Sequence, residues 1–371
     1  MFSVQPGGFF FASALACYTR FMSVTLYRKH RPATFSEVVG QEPIVAALKK
    51  AIDDGGAAHA YLFSGTRGTG KTTMARIVAR ELGVKIEDTH EIDAASYTGV
   101  DNIRELREAA FVLPMVSPKK VYIVDEAHML SRAAANAFLK ILEEPPSHVV
   151  FILATTEPRK LPDTIISRCQ HFQFKKPSES TLTTFANKVA RDEGYKLDPE
   201  AAALIAMLGD GSYRDTLTVL QQALTGATGK VIERAYVERI TGAPKSELVQ
   251  GLAQAIAARD LGGAMDSVGQ AAREHLEIKV FTQLLIRSLR EALLIALSPK
   301  LGARLKEELS PERFAFLESL TKEQLAREII PKALAEFLRA YEEMGSTPIQ
   351  QLPLELALIR LLGDKTLNPK P

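Results

Sequence analysis

The sequence has only two cysteines among its 371 residues, and they lie far apart at Cys17 and Cys169. Such a pair provides neither a disulfide framework nor a zinc-binding set, so a reduced cytoplasmic compartment fits best. Acidic and basic residues almost balance, and the formal net charge is +2. A chain this close to neutral lacks the overall positive charge that marks a protein able to bind nucleic acid on its own. Any contact with DNA must come from a local patch or from several subunits acting together.

Long apolar runs are also scarce, and no segment of the sequence is long and apolar enough for a membrane helix. The short run at residues 9–17 follows no Lys or Arg, which disfavours its interpretation as a signal or lipoprotein segment. Met22 then begins a segment that resembles an ordinary protein start. We expect residues 1–22 to be an upstream-start or unstructured extension, with a targeting signal as the alternative.

Strand-like and helical patterns alternate from about residue 40 to Pro177. Some of the strand-like runs are apolar throughout, which is typical of a parallel sheet covered on both faces. The alternation predicts a doubly wound α/β domain with a parallel five-stranded sheet. The predicted strands are residues 61–64, 90–92, 121–124, 149–154 and 171–174.

The pattern changes after Pro177, because only helical periodicities follow. Residues 178–242 predict a small all-α domain, and residues 243–371 predict an all-α bundle with leucine-rich faces. A self-contained bundle and a bundle that packs against partners remain alternatives. The predicted domains are residues 1–22, 23–177, 178–242 and 243–371.

A glycine-rich segment directly follows the first predicted strand and precedes a helical pattern. It matches the phosphate-loop pattern G-x-x-x-x-G-K-[ST], whose backbone amides surround phosphates at a helix N-terminus. Lys71 can reach the β- and γ-phosphates, and the Thr72 hydroxyl can ligate Mg²⁺. The segment predicts an ATP site formed by Gly65, Thr66, Arg67, Gly68, Thr69, Gly70, Lys71, Thr72 and the following Thr73.

Two acidic residues directly follow the apolar run at residues 121–124. Asp125, at the end of that run, is suited to hold Mg²⁺ through water, and Glu126 is placed to polarise the attacking water. Two solvated surface acids are the alternative, which the presence of a phosphate loop in the same sequence makes less attractive. We therefore predict hydrolysis of ATP rather than binding alone.

Several longer motifs occur in a fixed order along the chain. They are Tyr-Arg-Lys-His-Arg-Pro at 27–32, Val-Val-Gly-Gln at 38–41, Asp-Glu-Ala-His-Met-Leu-Ser at 125–131, Leu-Glu-Glu-Pro-Pro at 142–146, Leu-Ala-Thr-Thr-Glu-Pro at 153–158 and Ser-Arg-Cys at 167–169. In this order they resemble the AAA+ gamma/tau subunits of bacterial DNA polymerase III clamp loaders. The resemblance runs from about residue 27 to 242 and continues more weakly beyond. It implies a P-loop AAA+ domain, a helical lid domain and a helical collar domain that mediates oligomerisation.

The resemblance also assigns roles to three polar residues outside the phosphate loop. Arg168 matches the arginine finger, which enters the ATP site of a neighbouring subunit and stabilises charge in the transition state. Thr156 matches the sensor-1 position near the γ-phosphate, and Arg214 matches the sensor-2 arginine of the lid. Each residue also has an alternative without a catalytic role: Arg168 as a surface arginine, Thr156 as a strand-end threonine and Arg214 as a solvated helix arginine.

The segment that lines the adenine pocket in this family matches Arg31, Val38 and Val39, although core packing would also explain the two valines. The cofactors implied by the resemblance are ATP and Mg²⁺. The implied partners are delta, delta-prime and further gamma copies in a hetero-pentameric ring, together with the beta sliding clamp and primer–template DNA. No membrane partner is expected.

Two departures from the family concern whole modules. Many members carry a four-cysteine zinc module after the phosphate-loop helix, but residues 83–89 are too few for one and contain no cysteine, so we predict no zinc. The chain also stops soon after the helical bundle, whereas longer tau-type relatives continue into domains that bind the helicase and the polymerase. We therefore expect a short gamma-type core.

A third departure concerns DNA. Many relatives have basic residues in the region that corresponds to residues 94–99, whereas this chain has Tyr97 and Gly99. Helix amides near Thr98, together with Arg132 and Lys140, remain candidates for phosphate contacts. Exposed Lys and Arg side chains are more often simply solvated.

The resemblance implies an ATP-driven motor subunit that loads the sliding clamp onto primed DNA. Two other functions compete with this interpretation. A non-hydrolysing scaffold of the delta-prime type would need none of the catalytic residues, and a branch-migration helicase would lack the Ser-Arg-Cys motif and the third helical domain. No acid pair in a polymerase-like context is present, so the predicted intrinsic activity is that of an ATPase, stimulated by DNA.

Overall fold

The computed structural model describes residues 25–96, 99–227, 229–309, 311–321 and 324–363. The predicted extension at residues 1–22 lies outside these ranges, as do Tyr97 and Thr98. The packing divides the chain into two compact units. Of the described residues, one unit comprises those up to Val189 with Gly209–Gln221, and the other comprises Ala190–Leu208 with those from Gln222 onward. The domain boundaries predicted after residues 22, 177 and 242 remain predictions.

A five-stranded parallel sheet forms the framework of the first unit, with the strand order β2-β3-β4-β1-β5. The predicted α/β fold class is thereby confirmed. The strands are β1 (Ala60–Ser64), β2 (Thr89–Asp93), β3 (Lys120–Asp125), β4 (Val149–Thr155) and β5 (Gln170–Gln173). Along the same part of the chain the helices are α1 (Leu26–Lys29), α2 (Glu42–Asp53), α3 (Lys71–Glu81), α4 (Val100–Phe111), α5 (Arg132–Glu143), α6 (Asp163–Ile166) and α7 (Glu179–Asp192).

The three central strands of the sheet, β1, β3 and β4, are buried on both faces, which explains their uninterrupted apolar runs. Leu62 and Phe151 belong to the hydrophobic cluster on one face, whereas Phe63 and Ile152 belong to the cluster on the other face. Successive residues of a strand point to opposite faces, so a doubly covered sheet requires apolar residues at every position. Because β4 lies between β1 and β3, the carboxyl ends of these three strands meet at one edge.

A side chain from the sheet contacts the C-terminal end of helix α4. The helix ends at Phe111. The Lys120 ammonium donates to the carbonyls of Ala109 at 3.1 Å and Val112 at 2.9 Å. A buried lysine from a neighbouring strand therefore satisfies the last carbonyls in place of a further helical turn.

The remaining elements are α8 (Pro199–Leu208), α9 (Tyr213–Thr225), α10 (Arg234–Thr241), α11 (Ser246–Ala257), α12 (Leu261–Arg273), α13 (Ile278–Leu297), α14 (Pro299–Glu308), α15 (Pro311–Ser319), α16 (Gln324–Glu343) and α17 (Leu352–Leu362), with two short strands, β6 (Lys196–Leu197) and β7 (Val231–Ile232). Strands β6 and β7 pair in parallel, a short pairing within the otherwise helical segment at 178–242 that the sequence analysis did not predict. Two-residue strands are too short to produce a recognisable alternation.

Among the described residues, no helix has the length and apolar character needed to cross a bilayer.

A buried carboxylate joins two helices of the second unit. Glu291 on α13 lies 2.9 Å from Arg287 Nε and 3.0 Å from an Nη atom of Arg313 on α15. Burial acts to raise the pKa of Glu291, but the two guanidiniums hold it below its ordinary value. The carboxylate is therefore kept charged, and removing either arginine would leave it incompletely paired.

A second buried carboxylate, Asp88, holds an exposed apolar loop in the first unit. Its oxygens accept hydrogen bonds from the amides of Met115 at 2.6 Å, Val116 at 2.9 Å and Ser117 at 2.8 Å. Met115 is 80% exposed, so apolar burial does little to order this segment. The backbone contacts to Asp88 therefore determine its conformation.

Replacing Asp88 by asparagine is expected to lower the thermal stability and to remove part of its pH dependence. Burial tends to raise the pKa of Asp88, but the loop amides and the Ser117 hydroxyl lower it to about 2 from 3.8. Because the folded-state pKa lies below the unfolded value, its stabilisation is present above about pH 4 and is lost as the pH falls toward about 2. Thermal unfolding between about pH 6 and pH 2 measures this difference. The exposed Asp54→Asn serves as control, and equal pH profiles for wild type and Asp88→Asn would contradict the assignment.

Candidate active site

The glycine-rich loop at residues 65–72 connects β1 to α3. Gly70, the N-cap of α3, has a φ of 99° and provides no side-chain cap, so the first amides of the helix have no partner within the helix. Gly68 has a φ of +75°, and a Cβ atom there would lie 1.9 Å from the Ser212 Oγ. Glycine is thus required at both positions, and the loop leaves helix amides free to bind an anion such as a phosphate.

Lys71 lies at the first position of α3, and its ammonium folds back over the loop. It donates to the carbonyls of Gly65 at 2.8 Å and Thr66 at 3.0 Å. Burial lowers the pKa of Lys71, while the nearby carboxylates of Glu126 and Asp125 oppose that shift. A triphosphate would add negative charge beside this ammonium and so favour its protonated form.

Thr72 and Asp125 meet where α3 begins and β3 ends. The Thr72 hydroxyl donates to Asp125 Oδ2 at 2.8 Å, and the Glu126 amide donates to Asp125 Oδ1 at 2.9 Å. A hydroxyl and a carboxylate are the hard oxygen ligands that Mg²⁺ prefers, with phosphate and water oxygens completing its shell. The pair therefore fits Mg²⁺. In the described part of the chain, no group of three or more His, Cys, Asp or Glu residues could hold a metal ion, and the predicted absence of zinc stays a prediction.

Glu126 follows Asp125 in a left-handed backbone conformation, with φ 47° and ψ 44°. A non-glycine residue adopts this region only when its surroundings impose it, and such strain is concentrated at functional sites. The Thr156 hydroxyl donates to Glu126 Oε2 at 3.2 Å. Thr156 thus holds the carboxylate of Glu126, the residue predicted to polarise the attacking water. The family resemblance had not indicated this contact.

His128 is a further residue beside this carboxylate that the sequence analysis did not assign to the site. Its Nδ1 lies 3.4 Å from Glu126 Oε2 and 3.1 Å from the hydroxyl of the buried Thr155. Its Nε2 lies 3.6 Å from Glu157. His128 belongs to the Asp-Glu-Ala-His motif, but its position between these acids depends on the pairing of β3 with β4.

A cleft runs from the phosphate loop to an apolar end, and about 1020 Å³ of space, part of it open to solvent, is not filled by protein atoms there. The apolar end includes Phe185, Tyr213 and Leu217, none of which the sequence analysis proposed. Phe185 and Tyr213 pack edge to face, with ring centroids 5.1 Å apart. Of the proposed site residues, those that line the cleft are Arg31, Val38, Val39, Arg67, Gly68, Thr69, Gly70, Lys71, Thr72, Thr73, Asp125, Glu126 and Arg214.

Tyr213 connects the two ends of this cleft. Its hydroxyl donates to the Val39 carbonyl at 2.7 Å, and its amide donates to the Gly68 carbonyl at 3.0 Å. The start of α9 is thereby bound to both the phosphate loop and the predicted adenine segment. Arg214, the next residue, consequently faces the same cleft.

Arg168 is not among the residues that line the cleft. Its guanidinium is 2.7 Å from Glu143 Oε1 and donates to the Thr164 carbonyl at 2.8 Å. The side chain remains 35% exposed. Arg132 and Lys140, the predicted phosphate contacts on α5, are both exposed, and their role in DNA binding remains a prediction.

The phosphate loop after β1, the carboxylates after β3 and the parallel sheet of this order define an AAA+ P-loop NTPase fold. The Thermotoga maritima RuvB Holliday junction branch migration motor has a similar fold, with a TM-score of 0.51, 20% sequence identity, and coverage of 61% of this chain and 79% of that one. At this level of identity the similarity concerns the fold alone.

Family models and sequence relatives identify the family. The model for DNA polymerase III, delta subunit, matches residues 84–178, and the model for domain III of DNA polymerase III subunits gamma and tau matches residues 232–371. The gamma subunit of Buchnera aphidicola is 30% identical, with 93% of this chain and 98% of that protein covered. The chain belongs to the DNA polymerase III gamma/tau subunit family, and the resemblance deduced from the motifs is confirmed.

Longer relatives show how much of the family's full length the chain represents. The gamma/tau subunit of Mycobacterium tuberculosis is 43% identical over 66% of this chain and 47% of its own length. The tau subunit of Bacillus subtilis is 35% identical over 91% of this chain and 62% of its own length. The chain thus spans about half the length of these curated relatives.

Proposed function

We propose that this chain is an ATP-hydrolysing motor subunit of a clamp loader, which loads the sliding clamp onto primed DNA during replication. The observation that carries the proposal is the convergence of Lys71, Thr72, Asp125 and Glu126 on one cleft. A scaffold subunit of the delta-prime type has no chemical use for this combination. Membership of the gamma/tau family supports the replicative context.

The chemistry follows from the positions of these side chains. The first amides of α3 and the Lys71 ammonium bind the triphosphate. Thr72 and Asp125 would hold Mg²⁺, which neutralises charge on the phosphate oxygens. Glu126 accepts a proton from the attacking water, and the Thr156 hydroxyl keeps that carboxylate in position. Arg214 binds the phosphate end of the nucleotide from the start of α9.

In the proposed assembly, Arg168 acts in the ATP site of a neighbouring subunit rather than in its own. Its absence from the cleft of its own chain supports this role. The proposed partners are delta, delta-prime and further gamma-type subunits, the beta clamp and primer–template DNA, with the helical bundle of the second unit as the oligomerisation element. A cytoplasmic, replisome-associated location belongs to the same proposal, as does stimulation of hydrolysis by DNA.

Replacing Arg168 by alanine tests this assembly. We expect ATP binding by the isolated chain to change little, whereas hydrolysis by the reconstituted complex with clamp and primed DNA falls at least tenfold and up to about 10³-fold. The reason is that a guanidinium supplied across an interface acts only in the assembled ring. The measurement is steady-state phosphate release together with the Kd for ATP.

Arg159→Ala removes an exposed arginine of the same unit and serves as the control. A full rate in the assembled Arg168→Ala complex would contradict the proposed trans role. An equal loss of activity in the isolated chain would contradict it as well, because the defect would then lie within one subunit.

A further inference from the structure

An open cavity lined largely by arginine adjoins the nucleotide cleft. Of the residues whose structure is described, five arginines line it, together with Tyr27, Asp215 and Thr218. Tyr27, Arg31, Arg67 and Arg214 are shared with the cleft, so the cavity opens directly beside the predicted phosphate site. We call it the arginine cavity; its five arginines are Arg28, Arg31, Arg67, Arg76 and Arg214.

The charges within the arginine cavity are poorly balanced. Arg76 pairs with Glu91, with an N–O distance of 2.6 Å, and Asp215 is the one carboxylate among the described residues that line the cavity. Burial lowers the pKa of Arg31, and the neighbouring Arg76 guanidinium lowers it further. Like charges held this close favour binding of an additional anion.

The proposed trans action of Arg168 adds a sixth guanidinium to this region. A lone arginine that approaches five others meets electrostatic repulsion, which a carboxylate arriving with it would relieve. In this chain such a carboxylate accompanies Arg168, because Glu143 Oε1 lies 2.7 Å from its guanidinium. Glu143 is 50% exposed, so it is accessible to a second chain.

We infer that the arginine cavity receives the Glu143 carboxylate of a neighbouring copy of this chain when that copy's Arg168 reaches the nucleotide. The inference rests on the proposed trans role of Arg168. Two ion pairs are exchanged across the interface. Arg168 leaves Glu143 for a phosphate, and Glu143 pairs with an arginine of the cavity, so that neither charge is left unpaired.

Arg28 is the residue with which to test this interface, because it lines the arginine cavity but not the nucleotide cleft. Arg28→Glu is expected to lower the ratio of turnover in the assembled ring to turnover in the isolated chain by about fivefold, and less at high salt. Lys29→Glu makes the same change of charge at the next residue, which does not line the cavity, and should leave the ratio near that of the wild type. Equal ratios for the two variants would overturn the inference.

Crosslinking provides a second measurement that does not depend on activity. Chains that carry Arg28→Cys are mixed with differently tagged chains that carry Glu143→Cys, both with Cys17 and Cys169 replaced by serine, in the reconstituted complex. With a magnesium nucleotide analogue and a short thiol-reactive crosslinker, a product joining the two tags is expected, and far less is expected when Lys29→Cys replaces Arg28→Cys.

The two proposals fail in different ways. If the complex hydrolyses ATP in a manner that depends on both Lys71 and Arg168, but the Arg28–Glu143 product does not exceed the Lys29 control, the ion-pair exchange is wrong and the motor function stands. If hydrolysis depends on neither Lys71 nor Arg168, the proposed function itself is wrong, and the exchange is rejected with it.

Discussion

Replacing Lys71 by alanine is expected to abolish ATP hydrolysis by the assembled complex, with a loss of about 10²–10³-fold or more. The Lys71 ammonium is held 2.8 Å from the Gly65 carbonyl and 3.0 Å from the Thr66 carbonyl, directly over the loop. In this position it can neutralise charge on the β- and γ-phosphates, and within the part of the chain that the structure describes no other lysine lines the cleft. Affinity for ATP should fall as well, because the same contact acts in the ground state.

Phosphate release with and without clamp and primed DNA, combined with nucleotide binding at equilibrium, measures both effects. Lys50→Ala removes an exposed lysine from α2 and provides the matched control. Thermal unfolding of the Lys71→Ala chain shows whether the fold is intact. Turnover at the wild-type rate in Lys71→Ala would exclude the motor function.

Replacing Glu126 by glutamine is expected to lower the rate of hydrolysis by about 10²–10⁴-fold while ATP binding is kept. Glutamine has the same size and can still accept a hydrogen bond from Thr156, but it cannot take a proton from the attacking water. The Lys71 ammonium, the Thr72 hydroxyl and the Asp125 carboxylate are all retained. The variant should therefore accumulate the ATP-bound state.

Glu157→Gln is the matched control for this substitution. Glu157 lies 3.6 Å from the same His128 that adjoins Glu126, yet it does not line the cleft. We expect the control to hydrolyse ATP within about twofold of the wild-type rate, since it neither holds the nucleotide nor reaches the water. Equal impairment of the two variants would show that the charge around His128, rather than a base at Glu126, determines the rate.

Much of the candidate site could be located from the sequence because its determinants are local. The phosphate loop is a contiguous run that must lie between a strand and a helix, and the Asp125–Glu126 pair lies at the end of an apolar strand. Apolar residues at every position of 121–124 also predicted a sheet covered on both faces, which the two hydrophobic clusters confirm. These features depend on neighbouring residues along the chain, so a pattern in the sequence is enough to identify them.

Contacts between distant segments could not be predicted in the same way. Thr156 reaches Glu126 because β3 and β4 are adjacent, and Tyr213 binds Gly68 and Val39 across 145 and 174 positions of sequence. The arginine cavity likewise combines side chains from α1, the phosphate loop, α3 and α9.

The sequence by itself therefore determined the phosphate loop, the acidic pair, the α/β class and the family. The tertiary structure alone decided which side chain holds Glu126, how the start of α9 closes on the nucleotide cleft, and where the arginines gather. The physical reason is that a hydrogen bond or an ion pair depends on distance in space, and residues brought together by chain folding leave no periodic pattern along the chain.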